Sequence, residues 1–214
     1  MGQKLKKKKI KKKKNKSNSS ALIVFIRVPE LGKVKTRLAA QVGDEKALFI
    51  YKELLDHTFK ICEQCKDVDT YIFLASSSPH KLNLTSTFKV SLQRGESLGE
   101  RMNNAFDQVF SKEYEKALII GSDCAQLKVD IIERAIIELG NSEIVIGPTL
   151  DGGYYLLGMT ESHSFLFQGI EWSTDTVFSS TIQKVENHNL RFTTLPVLSD
   201  IDYIEDWENY GWAF

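Results

Sequence analysis

The chain has 214 residues, and its 28 basic and 28 acidic side chains give a formal net charge of zero. The charge is unevenly distributed, because residues 1–20 contain ten lysines and no acid, which leaves a net charge of −10 on the other 194 residues. An acidic body argues against a nucleic-acid partner, since phosphate contacts need clustered Lys and Arg. No apolar run is long enough for a transmembrane helix.

Residues 1–20 form a lysine-rich tail. We expect this tail to be disordered, because a block of like charges repels itself and cannot pack. It is a solvated appendage, an over-extended start of the coding region, or a weak electrostatic contact with anionic membrane lipid. The sequence therefore predicts one folded domain over residues 21–214. Its three cysteines give no disulfide framework and favour a reducing, cytoplasmic location.

The hydrophobic pattern predicts strands that alternate with helices. Short apolar, β-branched runs predict strands at residues 21–28, 70–75, 88–92, 117–120, 143–147, 154–158 and 191–195. Apolar residues at helical spacing predict helices at residues 44–65, 98–110, 129–139 and 174–186, and from about residue 204. This alternation predicts an α/β fold of three layers, with a mostly parallel sheet and helices on both faces. In such folds ligands bind at the carboxyl ends of the strands.

A basic loop follows the first predicted strand. Arg27, Lys33, Lys35 and Arg37 lie within eleven residues beside Gly32. Fixed cations at this position suit a polyphosphate, although the same residues could form an ordinary exposed loop. The glycine spacing of a Walker A loop is absent, and so is that of a dinucleotide-binding loop.

Acidic residues follow two other predicted elements. Asp123 comes directly after a buried strand, where a carboxylate can bind Mg²⁺ or Mn²⁺ beside substrate phosphates, or merely form a turn. Asp200 and Asp202 point to one face of an extended segment, and Asp202 is a candidate second metal ligand. Glu205 and Asp206 begin the last helix, where acids stabilise the helix dipole.

A glycine turn precedes the predicted strand at 154–158. Asp151 is followed by Gly152 and Gly153, which allow a ligand to approach the backbone closely, and then by Tyr154. A tight hairpin is the alternative explanation, because Asp-Gly is a strong turn signal. Asp151 is nevertheless placed to serve as a general base.

Six segments together carry a family resemblance that covers about residues 21–210. They are residues 32–38, 93–102, 121–124, 147–155, 172–174 and 200–202. The chain resembles the glycosyltransferase-A-like proteins known as radical-SAM/selenodomain-associated transferases, which are similar to 2-phospho-lactate guanylyltransferase. The resemblance implies a single domain with the nucleotide-diphospho-sugar transferase (GT-A-like) fold.

The resemblance also implies roles for individual residues. Arg27, Lys35, Arg37, Gly95 and Arg101 would bind the nucleotide and its phosphates. The divalent metal, Mg²⁺ or Mn²⁺, would be held by Asp123 and Asp202. The acceptor side would be formed by Gly152, Gly153, Tyr154, Trp172 and Ser173, with Asp151 as the catalytic group.

Three functions are compatible with these residues. The first is a glycosyltransferase that moves a sugar from a nucleotide-diphospho-sugar to a small acceptor hydroxyl. The second is a nucleotidyltransferase that joins a nucleoside triphosphate to a phosphorylated or carboxylate small molecule, for which the basic loop is equally suitable. The third is a non-catalytic nucleotide-sugar binder. Asp151 favours glycosyl transfer, because only a hydroxyl nucleophile needs a base.

Overall fold

The computed structural model describes residues 19–76, 82 and 84–212. Seven strands lie in this part of the chain: β1 Ser20–Ile26, β2 Val68–Leu74, β3 Lys89–Leu92, β4 Lys116–Ile120, β5 Ile144–Pro148, β6 Tyr154–Met159 and β7 Phe192–Thr194. Its helices are α1 Thr36–Val42, α2 Asp44–Gln64, α3 Leu98–Phe110, α4 Val129–Glu138, α5 Val177–Asn187 and α6 Ile204–Tyr210, with a 3₁₀ helix at Ser164–Phe167. No helix in the described residues is long and apolar enough to cross a membrane.

The seven strands form one sheet in the order β3-β2-β1-β4-β6-β5-β7. β1 runs parallel to β2 and β4, β2 parallel to β3, and β5 parallel to β7, whereas β6 is antiparallel to both of its neighbours. The predicted mostly parallel sheet is therefore confirmed. Because β6 is reversed, its amino-terminal end lies at the sheet edge where the parallel strands β1 and β4 have their carboxyl ends.

Helices cover both faces of the sheet, which confirms the three layers. Alternate residues of β1 point to opposite faces: Leu22 and Val24 pack in a cluster with α2 and α4, while Ala21 and Ile23 pack with α3 and the 3₁₀ helix. This is why the first strand has to be apolar at every position. A third cluster joins α1, α2 and α6 through residues such as Trp207.

The predicted tail boundary needs a correction. β1 begins at Ser20, which is buried, and the carbonyl of Ser19 accepts hydrogen bonds from the backbone N–H groups of Glu115 and Lys116. Composition had assigned these two polar residues to the tail, but pairing with neighbouring backbone makes them part of the fold. The rest of the predicted tail, residues 1–18, lies outside the described residues.

Two helices also differ from the prediction. α1 was not predicted, and it follows directly on the basic loop. α5 begins at Val177, three residues later than predicted, because residues 172–176 form a turn in which Ser173 has a positive φ of 66°. Both differences lie at the end of the sheet where ligands were expected to bind.

Candidate active site

A cleft with two lobes opens at the edge of the sheet where β1 and β4 end. The basic lobe is a cavity of about 590 Å³ whose lining includes Arg27, Lys35, Arg37, Arg101 and Asp123. The acidic lobe is a cavity of about 480 Å³ whose lining includes Asp151, Gly153, Tyr154, Trp172, Asp175 and Asp200. The walls shared by both lobes are Phe25, Arg37, Leu98, Gly121, Ser173 and Asp202. The two lobes are therefore neighbouring parts of one cleft.

Lys35 is the buried cation at the centre of this cleft. Its Nζ lies 3.0 Å from Asp123 Oδ2 and 3.5 Å from Asp202 Oδ1, and only 5% of its side chain is exposed. Burial by itself lowers the pKa of the ammonium, but the carboxylates of Asp123 and Asp202 outweigh it, so the pKa is raised. Lys35 is consequently charged and shared between the two predicted metal ligands.

The backbone of Lys35 adopts an uncommon conformation. Its φ and ψ are both 48°, in the left-handed region, at the position that precedes the first turn of α1. For a residue other than glycine this conformation is costly, and it often marks a functional site. The next cation, Arg37, lies in the first turn of α1, and its Nη1 donates to Asp202 Oδ2 at 2.7 Å.

Asp123 and Asp202 are the residues that could hold a divalent metal. Both carboxylates reach the same lysine nitrogen, although they are far apart in sequence. The described residues contain no cluster of three or more His, Cys, Asp or Glu side chains arranged for a metal. A pair of carboxylates fits Mg²⁺ or Mn²⁺ bound together with substrate phosphates and water, since Mg²⁺ seldom occupies an all-protein cage.

The segment that carries Asp202 is fixed by the start of α6. The carboxylate of Asp206 accepts hydrogen bonds from the backbone N–H groups of Asp202 and Tyr203, at 3.0 and 2.8 Å. This confirms the structural role predicted for Asp206. Asp200 faces the same lobe as Asp202, and burial, followed by the neighbouring carboxylate of Asp123, raises the pKa of Asp200 to about 7.

Tyr51 connects the ends of β1 and β4 beneath the basic lobe. Its hydroxyl accepts from the N–H of Arg27 at 3.0 Å and donates to the Arg27 carbonyl at 2.9 Å. The same hydroxyl lies 3.5 Å from Ser122 Oγ, next to Asp123. The sequence gives no signal of these contacts, because a single tyrosine in the predicted helix at residues 44–65 is like any other apolar position.

The predicted nucleotide-binding residues differ in their placement. Arg27, Lys35, Arg37 and Arg101 all line the basic lobe, whereas Gly95 is not part of its lining. Gly95 has a φ of 125° and its carbonyl accepts from Arg101 Nε at 2.9 Å, so it positions Arg101. The fourth cation of the basic loop, Lys33, is exposed and pairs with Glu30 at 2.7 Å, as an ordinary surface residue does.

Asp151 both forms a turn and faces a cavity. Its Oδ1 accepts from the hydroxyl of Thr149 and from the N–H of Gly153, at 2.5 and 3.1 Å. The adjacent Gly152 has a φ of 86°, and an added Cβ would lie 2.1 Å from the carbonyl oxygen of Asp175. Gly152, which was predicted on the acceptor side, is not part of the lining of the acidic lobe; the lack of a side chain there instead allows the turn to contact the 172–176 segment.

Aromatic side chains form the other wall of the acidic lobe. The ring of Trp172 packs so closely on Gly99 that an added Cβ would lie 2.8 Å from its Nε1. Tyr154, Trp172 and Ser173, predicted on the acceptor side, all line this lobe. The sequence did not reveal Asp175 as part of the site, because it does not stand out from ordinary turn and helix residues.

The fold is shared with known structures. At 30% identity and a TM-score of 0.83, the chain is similar to a candidate nucleotide-diphospho-sugar transferase from Desulfovibrio desulfuricans G20, over 87% of this chain and 84% of that one. It shares the fold of Rv0371C from Mycobacterium tuberculosis, solved as a complex with manganese, at 16% identity, a TM-score of 0.57 and coverage of 90% and 97%. It also shares the fold of CMP:2-keto-3-deoxy-manno-octonic acid synthetase, solved in complex with CTP, at 10% identity, a TM-score of 0.54 and coverage of 89% and 95%.

Fold and cleft together define a protein of the nucleotide-diphospho-sugar transferase class. The chain belongs to the family described as "Uncharacterized protein conserved in bacteria (DUF2064)", whose profile matches residues 58–174. No curated protein matches the chain significantly. The implied association with radical-SAM or selenium-related proteins stays a prediction.

Proposed function

We propose that this protein is a metal-dependent glycosyltransferase, which moves a sugar from a nucleotide-diphospho-sugar to a small acceptor hydroxyl. The observation that carries the proposal is the division of the cleft into a basic lobe and an acidic lobe that share Arg37, Ser173 and Asp202. Such a cleft can hold a diphosphate and an acceptor side by side. The transferase class is supported by the similarity to the Desulfovibrio desulfuricans protein.

The basic lobe is the donor site in this proposal. Arg27, Lys35, Arg37 and Arg101 supply four cations to its lining, and Lys35 is held charged by its carboxylate neighbours. Asp123 and Asp202 would hold Mg²⁺ or Mn²⁺, which when bound neutralises charge on the leaving diphosphate. A protein of the same fold, Rv0371C, is described in complex with manganese.

The acidic lobe is the acceptor site. Asp151 would accept the proton of the acceptor hydroxyl, whose oxygen forms a bond to the anomeric carbon. The bond between that carbon and the diphosphate oxygen breaks, and the nucleoside diphosphate leaves with the electron pair. Lys35 and Arg37 stabilise the charge on this leaving group. Because both cations are already fixed in place, they do not have to reorganise during the reaction.

Nucleotidyl transfer is the second candidate. It is supported by the basic lobe, which suits a triphosphate as well as a diphosphate, and by a protein of the same fold described with CTP. Its nucleophile would be a phosphate or carboxylate, which needs no base but does need cations at the acceptor site. The acidic lobe has a single cation in its lining, Arg37, and is thus less suited to such an acceptor.

One panel of ligands distinguishes the two reactions. We would measure the melting temperature of the full chain with nucleotide sugars and with nucleoside triphosphates, each with and without Mn²⁺. A ligand at 100 times its dissociation constant adds about 2.7 kcal/mol of stability, which is readily detected. Metal-dependent shifts from nucleotide sugars support glycosyl transfer, and shifts from triphosphates alone support nucleotidyl transfer.

The released products give an independent readout. With water as a slow acceptor, phosphorus NMR should show a nucleoside diphosphate formed from a nucleotide sugar. Pyrophosphate released from a triphosphate would instead establish the second candidate. Binding without any product in either mixture would contradict both and leave a nucleotide-sugar binder. The cytoplasmic location and the membrane contact of the tail stay predictions.

A further inference from the structure

The acidic lobe has more negative charge than positive charge in its lining. Asp151, Asp175, Asp200 and Asp202 line it, and its one cation, Arg37, is paired with Asp202 at 2.7 Å. Among the residues that the structure describes, Asp151 and Asp175 form no salt bridge with a Lys, Arg or His side chain. Asp200 adds less charge than these two, because its raised pKa of about 7 leaves it partly protonated at neutral pH. A phosphate or carboxylate in this cavity would meet uncompensated carboxylates and no available cation.

Two of these carboxylates stand on backbone segments that touch. The carbonyl oxygen of Asp175 occupies the space beside Gly152, and the Gly152 carbonyl accepts from the N–H of Phe178 at 2.8 Å. Asp151 precedes that glycine directly. The backbone contact therefore holds the segments of Asp151 and Asp175 next to each other, and both residues line the acidic lobe.

The rest of the cavity offers aromatic and apolar surface. Phe25, Tyr154 and Trp172 line it together with Leu98 and Met102. Trp172 packs closely on Gly99, and this contact fixes the position of the aromatic wall. Aromatic faces beside carboxylates attract a cation in two ways, through the ring quadrupole and through direct charge attraction.

We propose that the acidic lobe takes an acceptor with a protonated amine or another cationic group beside its apolar, hydroxyl-bearing part. This inference rests on the proposed function, in which the same lobe receives the acceptor. Asp175 is the residue assigned to specificity, since it faces the lobe and has no place in the transfer step. Anionic acceptors are rejected by the same carboxylates, and this rejection is the specificity of the site.

Three small probes of equal size and different charge test the proposal. Tyramine, tyrosol and 4-hydroxyphenylacetate share a phenol ring and differ in having a cationic, neutral or anionic end. Their dissociation constants for the full chain would be measured by ligand-observed NMR at constant ionic strength. We expect tyramine to bind about tenfold more tightly than 4-hydroxyphenylacetate, a difference of about 1.4 kcal/mol, with tyrosol between them.

Two charge-removing variants locate the effect. Asp175→Asn should reduce the preference for tyramine by up to about fivefold, the range of a partly exposed charge pair, and leave tyrosol unchanged. Asp56→Asn is the matched control, since it removes the same charge from an exposed position of α2 outside both cavities. Equal or tighter binding of the anion would overturn the proposal. So would a preference that Asp175→Asn does not change, or no binding of any probe.

The outcome separates this inference from the proposed function. Nucleotide-sugar binding and product release would be measured on the same preparations. If donor binding and transfer are present but the probes do not bind in the expected order of affinity, the proposal of a cationic acceptor is wrong and the transferase stands. If the probes bind in the expected order of affinity but no donor binds, the proposal of a glycosyltransferase is wrong and the charge preference of the lobe stands.

Discussion

Asp123 is the residue on which metal-dependent donor binding should depend. Asp123→Asn keeps the size of the side chain and removes the charge that a divalent cation needs. We expect the metal-dependent part of nucleotide binding to be lost while the fold is retained. The melting temperature should fall, because the buried Lys35 then keeps only Asp202 as a charged partner. The measurement is calorimetric titration with a nucleoside diphosphate, with and without Mn²⁺. Asp130→Asn, an exposed position on α4, is the control, and metal-dependent binding that persists in Asp123→Asn would rule out this ligand.

Asp151 should affect turnover and spare the donor. A general base contributes about 10²–10⁴-fold to the rate, so Asp151→Asn should lower turnover by that order. Donor affinity should stay nearly unchanged, because Asp151 lines only the acidic lobe. Turnover and donor dissociation constants would be compared in parallel with Asp123→Asn. If donor binding falls equally in both variants, Asp151 belongs to the metal site, and if nothing changes it only forms the turn.

At the scale of elements, the turn before β6 depends on the contact between Gly152 and Asp175. Gly152→Ala should destabilise the fold by about 1–3 kcal/mol, the usual cost of overpacking, because its Cβ would collide with the Asp175 backbone. Gly43→Ala is a matched control: Gly43 has nearly the same φ, 85°, but an added Cβ meets no atom within 4 Å. Denaturant unfolding of both variants isolates the collision. Equal destabilisation would mean that only backbone strain matters.

The segment between β6 and the 3₁₀ helix should make stability depend on pH. His163 is buried, its Nε2 has no hydrogen-bond partner in the described structure, and burial holds its pKa below the ordinary value. Nearby Glu161 and Glu143 raise this pKa and His188 lowers it. The net shift is downward, because the effect of burial is larger than that of the two carboxylates. A neutral histidine in the fold that takes up a proton on unfolding favours the unfolded state at low pH.

The sign of the effect follows from the lowered pKa. The contribution of His163 to stability is complete above about pH 6.5, the ordinary histidine value, and declines as the pH falls from there towards the folded-state pKa. His163→Gln should remove this part of the pH dependence. Urea unfolding at a series of pH values between neutral and acidic is the measurement. A wild-type slope retained in His163→Gln would assign the effect to another group.

At the scale of the whole molecule, the fold should not need the lysine-rich segment. β1 begins at Ser20, and Ser19 pairs with the start of β4. We therefore expect deletion of residues 1–18 to leave the pairing of β1 with β4 intact. The melting temperature and donor affinity of the shortened chain should equal those of the full chain. A lower melting temperature would show that residues 1–18 contribute to folding.

The sequence predicted most of the fold because the relevant signals are local. Each of the seven strands overlaps a strand that the sequence predicted, and the loops after β1 and β4 carry polar residues that the structure places in the cleft. Even the alternation of Asp200 and Asp202 correctly placed both carboxylates on one lobe. These features depend on neighbouring residues, whose spacing a linear pattern records.

Only the tertiary structure decided which residues meet across the cleft. Lys35 lies between Asp123 and Asp202, and Asp202 is 167 residues away in sequence, a pairing that depends on how the helices pack and the strands cross over. Because β6 is antiparallel to β4, Asp151 lies at the end of the sheet where β4 ends. The contact of Gly152 with Asp175 then joins the two segments that line the acidic lobe. Residue types are local properties, whereas the division of the cleft into a basic and an acidic lobe arises from distances that only packing fixes.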